Sequence, residues 1–90
     1  MVLAYAPQPV ASGPNAPPAV EEFGARARAR RQELGKSQEQ LAEASGLHWT
    51  FVGQVERGRR NLSLANILKL AAGLQMDPED LVRRLRPERF

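Results

Sequence analysis

Apolar residues recur at helical spacing in five stretches of this chain, and the residues between them are caps, glycines and prolines. In the first stretch Glu21 and Glu22 precede Phe23, where carboxylates favour a helix start. Phe23, Ala27 and Leu34 supply its inward face, and Gly35 stops it. Ser37 then stands before a run of good helix formers with Gln40 three residues on, the spacing of a capping box, so a second helix begins near Gln38. Leu41, Ala42 and Ser45 share one face of it, and Gly46 ends it in the left-handed conformation that glycine adopts most readily. A third helix must start almost at once, at Leu47 or His48, and close at Gly58. Ser63 caps a fourth, in which Leu64, Ile67, Leu68, Ala71 and Leu74 recur and which ends near Gly73. Asp77 followed by Pro78, a cap and then a first-turn proline, opens a fifth that carries Leu81, Val82 and Leu85.

The third helix has an unusual distribution of groups. Val52, Val55 and Glu56 fall on one face, while Trp49, Thr50, Gly53, Gln54 and Arg57 fall on the opposite one. A routine solvated helix would carry mostly Lys and Glu there. An amide can bond both donor and acceptor positions of adenine, a Thr can bond a base or touch a thymine methyl, and a Trp offers apolar area with one N–H donor. The competing structural reading is that Trp49 packs on a neighbouring helix. Two short helices joined by a glycine turn, the second with such a face, form a helix-turn-helix and point to double-stranded DNA as partner.

Residues 23–85 resemble the lambda-repressor/Cro-like helix-turn-helix family, often called XRE. The resemblance is carried by Gln38, Leu41-Ala42, Gly46, Val55-Glu56-Arg57-Gly58 and the run from Asn61 to Leu64. Thr50-Phe51-Val52, with the run from Glu56 to Leu64, is similar to the restriction–modification controller proteins within that family. The resemblance implies an all-α, five-helix lambda-repressor-like DNA-binding domain. It places Trp49, Thr50 and Gln54 where family members contact bases, and Phe51 where related controllers carry a Tyr near the groove. It places Gln38 where the family grips a phosphate at a positive helix end, and Arg57, Arg60 and Asn61 where the backbone is held beyond the recognition helix. Cations and amides there meet flanking phosphates and set the register of the reading helix; for Arg59 and Arg60 the alternative is an ordinary solvated loop. The family also implies a partly buried ion pair between Arg31 and Glu56, structural rather than DNA-binding. Arg30 and Lys36 depart from the family pattern, standing where apolar residues are usual, which predicts weaker packing there. Long basic side chains can still lie along apolar surface with their heads in water.

Charge agrees with a nucleic-acid partner. The chain of 90 residues holds 13 Lys+Arg and 10 Asp+Glu, for a net +3, but residues 26–60 carry eight basic side chains against four acidic ones. Eleven of the thirteen cations are Arg, which forks onto phosphate and guanine better than Lys does, so binding should weaken steeply with salt. Cysteine is absent, which removes disulfides, thiol switches and cysteine-ligated metals. His48 is the one imidazole and has no second His to complete a metal site; its ring is read either in solvent or near the DNA backbone. No cofactor is expected, and no nucleophile, base and orienting group, phosphate loop or metal set can be assembled, so an enzyme is not expected.

Residues 1–20 are of a different composition, with five of the seven prolines and no charge, and cannot bury enough area to offset ordering. They read as a disordered N-terminal arm, with Leu3 and Tyr5 as anchors if it docks on a partner subunit. Residues 21–86 form the DNA-binding and dimerisation domain, and 87–90 a tail. The arm lacks the basic start and uninterrupted apolar stretch of a signal peptide, and nothing is long enough to span a membrane, so a cytoplasmic protein is expected. Leu68, Met76, Val82 and Leu85 exceed the needs of so small a core, and the family suggests a homodimer through the last two helices. The expected activity is sequence-specific regulation of transcription on a pseudo-palindromic operator. The alternative is an antitoxin or protein–protein adaptor on the same fold.

Overall fold

The computed structural model describes residues 18–87. They form five helices and no strand: α1 (Pro18–Glu33), α2 (Gln38–Ser45), α3 (Trp49–Glu56), α4 (Leu64–Gly73) and α5 (Pro78–Val82). The expected arm lies outside the described residues except for its last three, and those are helical. Pro18 opens α1 with its φ already set for a helix, and Glu21 sits in the first turn where the helix dipole favours it. The helix therefore starts earlier than the carboxylates alone suggested.

The caps form as the sequence pattern predicts. Ser37 Oγ accepts from the Gln40 amide at 3.0 Å, and Gln40 Oε1 accepts from the Ser37 amide at 2.8 Å. Ser63 Oγ accepts from the Asn66 amide. Asp77 occupies the cap position of α5 but makes no side-chain cap bond. Its carbonyl accepts from the Asp80 amide instead, and α5 stops at Val82, so Leu85 lies beyond the helix rather than on it.

The core is built from Phe23, Ala27, Leu41, Ala42, Val52, Val55, Leu70, Ala71, Leu74 and Leu81. On α4 and its C-cap the buried stripe runs through Leu70, Ala71 and Leu74, whereas Leu64 and Leu68 are exposed. Met76 and Leu85, expected as surplus surface, are partly buried against the core. Leu68 and Val82 do remain outside.

Two glycines set the helix spacing. A Cβ at Gly24 would stand 2.2 Å from the Val55 carbonyl oxygen, so α1 crosses α3 backbone to backbone. A Cβ at Gly73 would stand 2.8 Å from Ser45 Cβ, the equivalent contact of α4 on α2. Gly73 is thus a packing residue as well as the last residue of α4, which ends where expected, and the left-handed position beyond it is taken by Gln75 at φ 53.

The first helix, Ala- and Arg-rich and short of an apolar stripe, is held by its arginines. Arg26 donates to the Leu81 carbonyl at 3.2 Å, and Arg30 to the Leu74 and Gln75 carbonyls at 2.9 and 3.0 Å. Lys36 Nζ donates to the Gly73 carbonyl at 3.1 Å. The last carbonyls of a helix have no partner within it and carry its negative dipole end. Lys36 satisfies the carbonyl of Gly73, the last residue of α4, and Arg30 those of Leu74 and Gln75 in the turn that follows, so the two departures from the family pattern make hydrogen bonds where weaker packing was expected.

Candidate nucleic-acid interface

The geometry of the interface begins with how α3 is fixed. His48 Nδ1 accepts from the Thr50 amide at 3.1 Å and so caps the helix, with its ring stacked on Trp49 at a centroid distance of 6.2 Å. A cap requires an acceptor, and a ring nitrogen carrying no proton supplies one. This fixes the His48 ring at the protein's own helix start, a role that neither sequence reading gave it.

At the other end, Gly58 at φ 73 takes the left-handed conformation. The Gly58 amide donates to the Val55 carbonyl and the Arg59 amide to the Gln54 carbonyl, which closes the helix in a Schellman turn. The chain then folds back, bringing residues 59–61 alongside α3.

The inward side of α3 is tied to α1. Arg31 Nε and Nη2 donate to the two Glu56 carboxylate oxygens at 2.7 and 2.9 Å, and Arg31 Nη1 donates to the Lys36 carbonyl. Only 12% of the Arg31 side chain and 2% of the Glu56 side chain are exposed. The hydrogen bond to Glu56 raises the Arg31 pKa, burial opposes it, and the Glu56 charge adds to the rise. Gln38 joins this cluster, its Nε2 donating to Glu56 Oε1 at 3.0 Å. One of its two amide N–H groups is thus engaged within the fold, at the start of α2.

Gly53 lies next to this cluster. It was expected to face outward, but it is buried, with Gln38 Oε1 3.4 Å and Arg57 Nη1 3.5 Å from where its Cβ would be. Two polar side chains close over the space that a side chain would have used.

On the outward side Trp49 is 54% exposed, with its ring stacked on His48 rather than buried in the core. Thr50 beside it is exposed, and Gln54 one turn later is half-buried. Phe51 is half-buried against the core. Arg60 returns over this face: Nε donates to Gln54 Oε1 at 2.7 Å, and the guanidinium carbon lies 5.5 Å from the Phe51 ring centroid. Arg57, Arg59 and Asn61 are exposed around the end of the helix. Arg60 is therefore brought onto Phe51 and Gln54, on the same helix as Trp49 and Thr50, with Arg57 at the end of that helix, Asn61 in the segment that follows and Gln38 turned toward Glu56. The Gln54–Arg60 bond was not visible in the sequence, because a spacing of six across a turn has no periodic signature.

Among the described residues there is no group of three His, Cys, Asp or Glu able to hold a metal ion, and no helix long and apolar enough to cross a membrane.

The buried α1–α3 clamp, the glycine-linked α2 and α3, and the polar outward face of α3 define a helix-turn-helix. The corresponding family model, described as helix-turn-helix, matches residues 28–81, and the chain belongs to this family in its XRE-type form, a family of DNA-binding regulators and not of enzymes. Its relatives include proteins of the restriction–modification control type. Over 48 residues it is 50% identical to control protein C.SmaI of Serratia marcescens, a match covering 53% of this chain and 57% of that protein's length. Over 61 residues it is 43% identical to control protein C.BamHI of Bacillus amyloliquefaciens, covering 67% of this chain and 75% of that one. Among solved structures, the restriction-modification controller protein C.AhdI from Aeromonas hydrophila is similar with a TM-score of 0.67 at 53% identity, over 69% of this chain and 94% of that one.

Proposed function

We propose that this protein regulates transcription in the cytoplasm as a homodimer on a pseudo-palindromic duplex, with α3 of each copy in the major groove. Trp49, Thr50, Phe51 and Gln54 read bases, and Gln38, Arg57, Arg60 and Asn61 hold the phosphate backbone on either side. The observation that carries this reading is the exposure of Trp49 at the head of a helix whose other face is buried and ion-paired. A large aromatic in water is a cost unless something covers it, and its neighbours Thr50 and Gln54 are hydrogen-bonding groups suited to base edges.

Leu64, Leu68 and Val82 support the dimer. Among the described residues they are the large apolar ones besides Trp49 that stand exposed, and they lie on the last two helices. A two-fold axis there would set two α3 helices into successive major grooves about 34 Å apart.

Selection from a random duplex pool by the full chain, followed by anisotropy titration of the enriched sequence, tests the proposal. An inverted repeat with half-sites about one helical turn apart is expected. Enrichment of no sequence, or of a single unrepeated half-site, would contradict it.

A further inference from the structure

We infer that Arg60 is a positioning residue that makes Gln54 read chiefly as a donor, so that the base met by Gln54 is a guanine rather than an adenine. This rests on the reading of α3 as the recognition helix. An unconstrained glutamine favours adenine, because its oxygen accepts from the adenine amino group while its amide N–H₂ donates to N7. Here one of the two lone pairs of that oxygen is taken by Arg60 Nε at 2.7 Å, and the positive charge of the guanidinium beside it disfavours the approach of a second donor such as the adenine amino group. Arginine has five N–H donors and no acceptor, so the amide can face it only through its oxygen, and the orientation of the Gln54 side chain is fixed. The N–H₂ group is left as its free hydrogen-bonding end.

The arginine is itself held. Phe51 and Gln54 are three residues apart on α3 and share a face, and the guanidinium lies over the Phe51 ring within the range of a cation–π contact while bonding Gln54. The Schellman turn at Gly58 brings residue 60 back to that position. With a cation beside its oxygen, Gln54 meets a base edge chiefly through its Nε2 donors. Of the base edges in the major groove, guanine offers two adjacent acceptors, N7 and O6, whereas adenine sets a donor beside its one acceptor. Arg60 therefore contributes to which base is chosen, beyond the sequence-independent attraction for phosphate that its charge gives.

The test compares site selection from random duplex pools by the full-length protein and by Gln54→Ala, Arg60→Ala and the double variant, each checked for helix content by circular dichroism. In the wild type, one position per half-site should carry a guanine whose preference over adenine, on the order of tenfold, is lost in Gln54→Ala. Arg60→Ala should shift that same position toward adenine and leave the others in place, and in the Gln54→Ala background removing Arg60 should no longer change base preference anywhere. Adenine at the Gln54-dependent position of the wild type would overturn the inference. So would an Arg60→Ala variant that binds all duplexes more weakly with its preferences intact, an outcome that leaves α3 as the recognition helix. If the wild type enriches no sequence, the regulator reading fails, and this inference fails with it.

Discussion

Arg31 on α1 and Glu56 at the end of α3 form a two-pronged ion pair at 2.7 and 2.9 Å, with the carboxylate almost wholly buried. The pair fixes the recognition helix against the body of the protein by its last residue, while His48 fixes its first turn. What lies between them, Trp49 to Gln54, is presented as a rigid unit. Rigid presentation lowers the ordering cost of a reading helix when it binds.

Glu56→Ala should destabilise the fold by about 3–5 kcal/mol, since it strands the Arg31 guanidinium in a site built for a partner and removes the acceptor of Gln38. Chemical denaturation followed by circular dichroism measures this. A loss below about 1 kcal/mol would mean that water reaches Arg31 easily and that the clamp does not anchor α3.

Gly24→Ala adds one methyl group 2.2 Å from the Val55 carbonyl oxygen. Backbone cannot yield as a flexible side chain can, so α1 must lift from α3, at a cost of about 1–3 kcal/mol or more. The denaturation midpoint should fall. Ala25→Gly, at the exposed next position, should cost only the ordinary helix penalty of about 1 kcal/mol.

Leu68→Glu places a charge on the exposed apolar part of α4. The variant should keep its helical content yet sediment at the mass of one chain at concentrations where the wild type sediments at two. A variant that dimerises like the wild type would move the interface away from α4.

Thr50→Ala and Arg57→Ala should differ in kind. Loss of a base contact reduces discrimination between the selected site and a random duplex by about 1–3 kcal/mol. Loss of a phosphate contact weakens both duplexes alike and lowers the salt slope by about 1. Paired anisotropy titrations at two salt concentrations separate the two effects.

Most of this architecture was legible along the chain because it is governed by local rules. The Ser37 and Ser63 caps, the Gly46 and Gly58 stops and the alternation of faces on α3 each depend on residues within four positions of one another. What escaped depends on contacts distant in sequence. Gly24 and Gly73 look like weak points in helices until Val55 and Ser45 are seen against them. Arg30 and Lys36 look like misfits in a core until the C-terminus of α4 arrives above them. Gly53 was assigned to the outer face by periodicity, which places its Cα correctly but does not show that Gln38 and Arg57 cover it. The Arg31–Glu56 pair was expected only through the family resemblance, and its bidentate geometry is as that resemblance implies. Spacing alone could not have chosen Arg31 from four arginines on one helix.

Trp49 is the sole tryptophan of the chain, so its emission reports directly on the head of α3. In the free protein acrylamide should quench it efficiently, as expected for an indole that is 54% exposed. Titration with the selected duplex should protect it in proportion to complex formed. If the complex forms and Trp49 remains as open to quencher as before, the outward face of α3 does not enter the groove.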